Sequence, residues 1–193
     1  MEKKINYFEA LTRENTAKTF ELALERGNEL GINTYVVATT TGWTAVEASK
    51  AFEGKNLIIV SHCYGSREAD QWLFKDENLK IIKEKNIPIV TAAHAFGGIT
   101  RSMNQMAIQA APTAYVIGDI VANTLRMFGQ GTKVVVEIAC MAADAGLVRC
   151  DTDIISIGGT GGGADTAVVL KPANSHRLFQ TRVREIICKP VKI

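Results

Sequence analysis

Hydrophobic positions along the chain follow two periods, one helical and one strand-like, in alternation. Asn15 to Leu30 carries Phe20, Leu22, Ala23, Leu24 and Leu30 as an apolar stripe, and Gly31 follows as a C′ residue would, so the spacing predicts a helix. Thr34-Tyr-Val-Val-Ala-Thr39 is short and rich in β-branched residues, which predicts a buried strand. A polar turn leads into a helix over about Trp43–Phe52, closed by Gly54, and Leu57-Ile-Ile-Val-Ser61 reads as a second buried strand. After a long connection over 62–75, a helix is predicted at about Asp76–Lys85. A third strand follows at Ile87-Pro-Ile-Val-Thr91, with Pro88 near its start, where a missing N–H is tolerated.

The second half is less regular. Arg101 to Phe128 is helical in pattern and weakly charged, reading as two helices that meet near Pro112. Val134-Val-Val136 alone would be a strand, but Val134, Glu137, Ile138, Met141, Ala142 and Ala145 have helical spacing, and a helix over Lys133–Gly146 is favoured. Asp153–Ile157 and Thr166–Leu170 are strands joined only by the glycine-rich run Gly158–Ala164. So short a link cannot hold a crossover helix, so these two strands should pair antiparallel. Val183–Cys188 reads as a last edge strand.

Strands alternating with helices imply a mainly parallel sheet covered on both faces, and ligands of such sheets bind at the carboxyl ends of the strands. Those ends are Thr39–Thr44, Ser61–Ser66, Thr91–Gly98 and Gly158–Ala164, all rich in Gly, Ser, Thr or His. Thr39-Thr-Thr-Gly-Trp-Thr-Ala45 lies between a strand and a helix. Its hydroxyls, together with the unpaired amides of about Trp43–Val46, suit a phosphate; Thr41 or Thr44 as a plain helix cap is the alternative. Gly158-Gly-Thr-Gly-Gly-Gly-Ala-Asp165 contains G-x-G-x-x-A, but a strand follows it rather than a helix, which rejects a dinucleotide fingerprint. That run is either a flexible hairpin or a place where backbone approaches a ligand closely.

His62 and His94 each follow a strand end. They are either structural imidazoles bonded to backbone or a facing pair, able to act as acid and base or, when protonated, to hold a phosphate. No ligand spacing supports a metal site. Glu137, Asp144, Asp151, Asp153 and Asp165 read as capping and turn residues, and Cys63 as a buried thiol in preference to a nucleophile. Trp43 and Tyr64 either stack on a flat ring at the cleft mouth or pack on neighbouring helices.

Composition narrows the classes. At 193 residues, with 47% hydrophobic residues and a net charge of +2 spread along the chain, the sequence reads as one globular domain over 1–193, without a nucleic-acid arm or an acidic tail. The stretch between Arg101 and Arg126 has only Asp119 as a formal charge, yet its Asn, Gln and Pro residues argue against a membrane span. The N-terminus lacks the apolar core of a secretion signal, and the four cysteines are far apart without C-x-x-C spacing, so the cytoplasm is the expected compartment. Apolar helices without a charged face pack on both sides, so Met106–Phe128 predicts a homo-oligomer.

The order of elements over Asn15–Val60 resembles the carboxyl-terminal α/β domain of pyruvate kinase. There a turn of pattern S/T-G-x-S/T-A, matched by Thr41-Gly-Trp-Thr-Ala45, holds a phosphate of the sugar-bisphosphate effector. The whole chain looks like a stand-alone family of pyruvate-kinase carboxyl-terminal-domain-like proteins from archaea and bacteria, with Glu137–Gly146 and Gly159–Ala167 typical of it. The resemblance implies a three-layer α/β/α fold with five strands in the order 3-2-1-4-5, the fifth antiparallel. It also implies an FMN ligand. Its phosphorylated end would lie on Thr39, Thr40, Thr41, Gly42, Trp43, Thr44 and Ala45, and its ring near Ser61, His62, His94 and the loop Gly159, Thr160, Gly161, Gly162 and Gly163. The chain has no room for the barrel in which pyruvate kinase does its chemistry, so binding without that activity is expected. Two alternatives stay open. One is a flavin-dependent or phosphate-ester enzyme with His62 or His94 as the proton-transfer group, and the other is a regulatory or scaffold subunit.

Overall fold

In the computed structural model, which describes residues 4–103 and 116–191, side chains of each central strand alternate between two apolar layers. Tyr35 and Val37 of strand β2 (Thr34–Thr39) face one core, and Val36 faces the other. Strands β3 (Asn56–Ser61) and β5 (Ile154–Gly158) divide their side chains in the same way. The first core is closed by helices α1 (Asn15–Leu30), α2 (Trp43–Ala51) and α3 (Asp76–Glu84). The second is closed by α4 (Ile117–Arg126) and α5 (Gln130–Asp144). This gives the expected three layers.

The sheet contains seven described strands rather than five. With β1 (Asn6–Phe8), β4 (Ile89–Thr91), β6 (Thr166–Lys171) and β7 (Arg182–Pro190), the order is β1-β7-β6-β5-β2-β3-β4. Within it the order 3-2-1-4-5 survives as β4-β3-β2-β5-β6, and β6 is antiparallel to β5. The sequence over Val183–Cys188 does form a strand, but it is interior, because β1 pairs parallel with it through Asn6–Cys188, Tyr7–Lys189 and Phe8–Pro190. Asn6 and Tyr7 are exposed and only Phe8 packs against the first core, so β1 carries no periodic signal. Helix α5 starts at Gln130, three residues before the predicted start.

Of the apolar stretch expected to mediate assembly, residues 104–115, with Pro112, lie outside the described residues. The part that follows leaves Ile117, Ile120, Met127 and Phe128 exposed. Among the described residues, no helix is long and apolar enough to cross a membrane.

Helix α1 ends as its sequence predicts. Gly31 takes φ 68°, in the left-handed region, and the Ile32 amide closes on the Gly27 carbonyl at 2.8 Å. Gly27 is needed for a different reason, since a Cβ there would stand 1.9 Å from the Tyr35 hydroxyl. Tyr35 is fully buried and stacked on Phe52, with centroids 4.4 Å apart, so it cannot swing away. Gly27→Ala gains about 1 kcal/mol of helix propensity but overpacks the core at a cost of about 1–3 kcal/mol. The expected outcome is a melting temperature lowered by a few degrees, measured by thermal denaturation; an increase would show that α1 can shift off the sheet.

Candidate functional site

The carboxyl ends of the parallel strands are flush. Thr39 of β2 is in register with Ser61 of β3, Ser61 with Thr91 of β4, and Val37 of β2 with Ile157 of β5. The connections leaving these ends therefore converge on one edge, where they border a cleft of about 510 Å³.

At the β2 end, the Thr39 hydroxyl accepts the Gly42 amide at 3.1 Å and shapes the turn. Gly42 has φ 87°, and a Cβ there would stand 2.3 Å from the buried Phe74 ring, so glycine is required on both counts. The Thr41 carbonyl accepts the Lys75 amide and the Asn78 side-chain amide, which clamps the turn from below. Thr40, Thr41, Trp43 and Thr44 line the cleft, whereas the Ala45 side chain lies in the core. The Val46 amide donates to the Gly42 carbonyl, so the amides of Trp43, Thr44 and Ala45 are the first-turn donors of α2 and Val46 is not among them.

The glycine run after β5 is tied down and is more than a flexible hairpin. Asp165 accepts the Thr160 amide at 2.8 Å and the Thr166 hydroxyl at 2.7 Å, and the Thr16 hydroxyl of α1 accepts the Ala164 amide at 3.0 Å. A Cβ on Gly163 would stand 2.3 Å from that Thr16 hydroxyl. Gly159, Thr160, Gly161, Gly162 and Gly163 all border the cleft.

His62 and His94 meet at the β3–β4 end, with ring centroids 4.6 Å apart and planes at 50°. The Ser61 hydroxyl behind them borders the cleft but is engaged with Thr91 at 2.8 Å, and Trp72 Nε1 donates to the His62 carbonyl at 3.0 Å. Burial pushes the His62 imidazole below its usual pKa, and the positive charge of Arg101 adds to the effect. Burial likewise pushes His94 down to about 4, against the opposing pull of Glu137. Both shifts favour the neutral imidazoles, which suits proton transfer.

The largest departure from the sequence reading is Glu137. Only 3% exposed, it projects from α5 into the lining of the cleft instead of lying at a surface helix end. It accepts the Phe96 amide at 3.0 Å, pairs with the buried Lys133 ammonium one turn earlier, and lies 3.9 Å from His94 Nδ1. Burial lowers the Lys133 pKa, with Glu137 opposing. Sequence reasoning also passed over the cleft's arginines, Arg13, Arg67, Arg101 and Arg126. A signal for the pair existed, because Lys133 and Glu137 stand four residues apart on an otherwise apolar helix, where unpaired charges would be costly.

Trp43 lines the cleft with the Arg13 guanidinium 4.2 Å over its ring, while Tyr64 is exposed and stacks on Trp72. Cys140 and Cys188 are buried thiols pushed up to about 12 by burial, whereas Cys63 and Cys150 are half-buried. Asp144 does cap, accepting the Ser175 amide at 2.9 Å. Among the described residues, no cluster of His, Cys, Asp and Glu is arranged to hold a metal ion.

A family model described as pyruvate kinase, alpha/beta domain matches residues 17–170. The chain belongs to this family. The match runs from the first turn of α1 to the end of β6, so the threonine turn, both histidines, the Lys133–Glu137 pair and the glycine loop all fall within the pyruvate kinase alpha/beta domain proper. Strands β1 and β7 lie outside it.

The state of His94 gives this pyruvate kinase alpha/beta domain a definite pH response. Between pH 6.5 and about 4 the unfolded chain protonates this imidazole and the folded chain does not, so the unfolded state binds more protons there. Stability is then level above pH 6.5 with respect to this group and falls as pH drops towards 4. Urea denaturation across that window should show the loss, and His94→Gln should make it shallower. Parallel curves for the two proteins would mean that His94 titrates alike folded and unfolded.

Proposed function

We propose that this chain binds a phosphorylated nucleotide in the cleft, with FMN, the nucleotide its family resemblance implies, as the first candidate. One observation carries the reading. Among the described residues, the cleft is lined by five basic side chains (Arg13, Arg67, Arg101, Arg126 and Lys133) against one carboxylate, Glu137, which already pairs with Lys133. Three buried polar atoms without a partner, His62 Nδ1, Ser66 Oγ and Thr160 Oγ1, belong to residues lining this same cleft. Buried polar groups are ordinarily satisfied, so such a cluster fits a site completed by an anionic, hydrogen-bonding ligand.

The residues present fit FMN. Its phosphate would rest on Thr40, Thr41 and Thr44 at the start of α2, where hydroxyls and first-turn amides converge. Its flat ring would have Trp43, Leu73 and Met141 as apolar walls, with His62 and Thr160 towards its polar edge. When bound, FMN would supply electron-transfer chemistry; the chain's own part is to hold it and exclude water.

A charge-assisted hydrogen bond to phosphate is worth roughly 1.5–3 kcal/mol, or roughly ten- to a hundredfold in affinity. FMN should therefore bind tighter than riboflavin, which has the ring without the phosphate. Thr44→Val should remove much of that difference while leaving riboflavin nearly unchanged. Flavin fluorescence titration of both proteins with both ligands supplies the four affinities. Equal binding of FMN and riboflavin by the unaltered protein would sink the phosphate cradle, and no binding of either would sink the flavin.

The neutral, adjacent His62 and His94 rings favour a second reading in which the chain is an enzyme and one imidazole moves a proton at the bound ligand. Oxidation of a reduced nicotinamide by the flavin-loaded protein, slowed at saturating flavin in His62→Asn or His94→Asn, is the outcome expected of it. A rate no faster than free flavin supports binding alone.

A further inference from the structure

The cleft has two cationic ends. Strands pack about 4.8 Å apart, so the connection after β3, with His62, Ser66 and Arg67, leaves the sheet about 5 Å from the turn after β2, and the loop after β4, with His94 and Arg101, about 10 Å from it. Arg13 and the glycine loop belong to the first end, where a Cβ on Gly163 would stand 3.5 Å from Arg13 Cγ and the guanidinium covers Trp43. Arg67, Arg101 and Lys133 belong to the second, where the field of each disfavours protonation of His62. Lys133 is neutralised by Glu137. Arg67 and Arg101 have no carboxylate within ion-pair distance among the described residues. Two of the three unpartnered buried atoms, His62 Nδ1 and Ser66 Oγ, are also at or beside this end. A phosphate monoester carries a charge of about −1.5 to −2 in a single group. Seated on the threonine turn, it leaves the histidine end unmatched.

We propose that the histidine end is a second oxyanion subsite, taking the carboxylate or phosphate of a small co-substrate beside the nucleotide, with Arg67 and Arg101 as its charge partners and His62 Nδ1–H as its hydrogen-bond donor. The assignment rests on the nucleotide phosphate occupying the threonine turn. It also gives the His62–His94 pair a reason to face the cleft, since an anion held there lies within reach of a neutral imidazole able to give or take a proton. Both guanidiniums are exposed at the cleft mouth, so each contributes less than a buried pair would.

The test is titration of inorganic phosphate and, separately, oxalate, at constant ionic strength, into the FMN-loaded and the FMN-free protein. The readout is the ¹⁵N-imidazole resonances of His62 and His94. The expected result is a saturable shift of His62 in the loaded protein. Arg101→Gln or Arg67→Gln should weaken it by about tenfold, the loss of one charged contact, and Thr44→Val, compared at saturating FMN, should not change it. The tighter of the two probes distinguishes a phosphate-bearing co-substrate from a carboxylate-bearing one. No saturable shift with either probe overturns the subsite. So does anion binding that Thr44→Val abolishes and the arginine variants spare, because the cleft would then hold one anion, on the turn. Failure of FMN to bind counts against the nucleotide reading alone; the FMN-free titration, with the same dependence on Arg101, then decides the subsite.

Discussion

Parallel pairing in register is the constraint on which the site depends. Because Thr39, Ser61 and Thr91 lie side by side, and β5 joins at Val37–Ile157, four connections of unrelated sequence leave the sheet at one level. Backbone hydrogen bonding alone brings them together; no contact between the loops is required first. The apolar layers on both faces then prevent any single strand from slipping, since a one-residue shift would turn Val36 and Val37 each towards the wrong core.

The second organising element is the buried Glu137 carboxylate. A lone charge at 3% exposure would be costly, and three neighbours reduce that cost: the Lys133 ammonium, the Phe96 amide, and the His94 imidazole nearby. Phe96 and His94 belong to the connection after β4, so satisfying one carboxylate on α5 also positions that connection against the cleft. Helix and loop are joined by a polar contact inside an otherwise apolar layer, and the ring of Phe96 lies 5.7 Å from the same ammonium.

Much of this was legible in the chain. The α1 and α2 starts, the antiparallel hairpin through the glycine run and the polar strand ends all follow from local pattern, because hydrophobic period and link length are properties of short segments. Strand β1 was not, since three half-polar residues pair with β7 about 180 positions away and carry no periodic signal. Nor was the role of Glu137: within a segment a carboxylate reads as a cap, and only the tertiary position of α5 shows that it faces inward. The arginines escaped for a related reason. Arg13, Arg67, Arg101 and Arg126 are scattered across the chain, and only the fold makes them neighbours of one cleft.

The two outermost strands, β1 and β4, are each three residues long, on either side of a sheet whose inner members reach nine. An open sheet ends in unpaired amides and carbonyls that another sheet can extend, and the hazard grows with the length of ladder on offer. Here β4 is a short rim, whereas β1 covers only Cys188–Pro190 of β7. The N-terminal segment, by laying Asn6–Phe8 along β7, replaces a nine-residue open margin with a three-residue one over part of its length. A chain cut just after Phe8 would keep the described cleft and expose that margin, and its defect would be in colloidal behaviour, as sheet-to-sheet aggregation, rather than in ligand recognition.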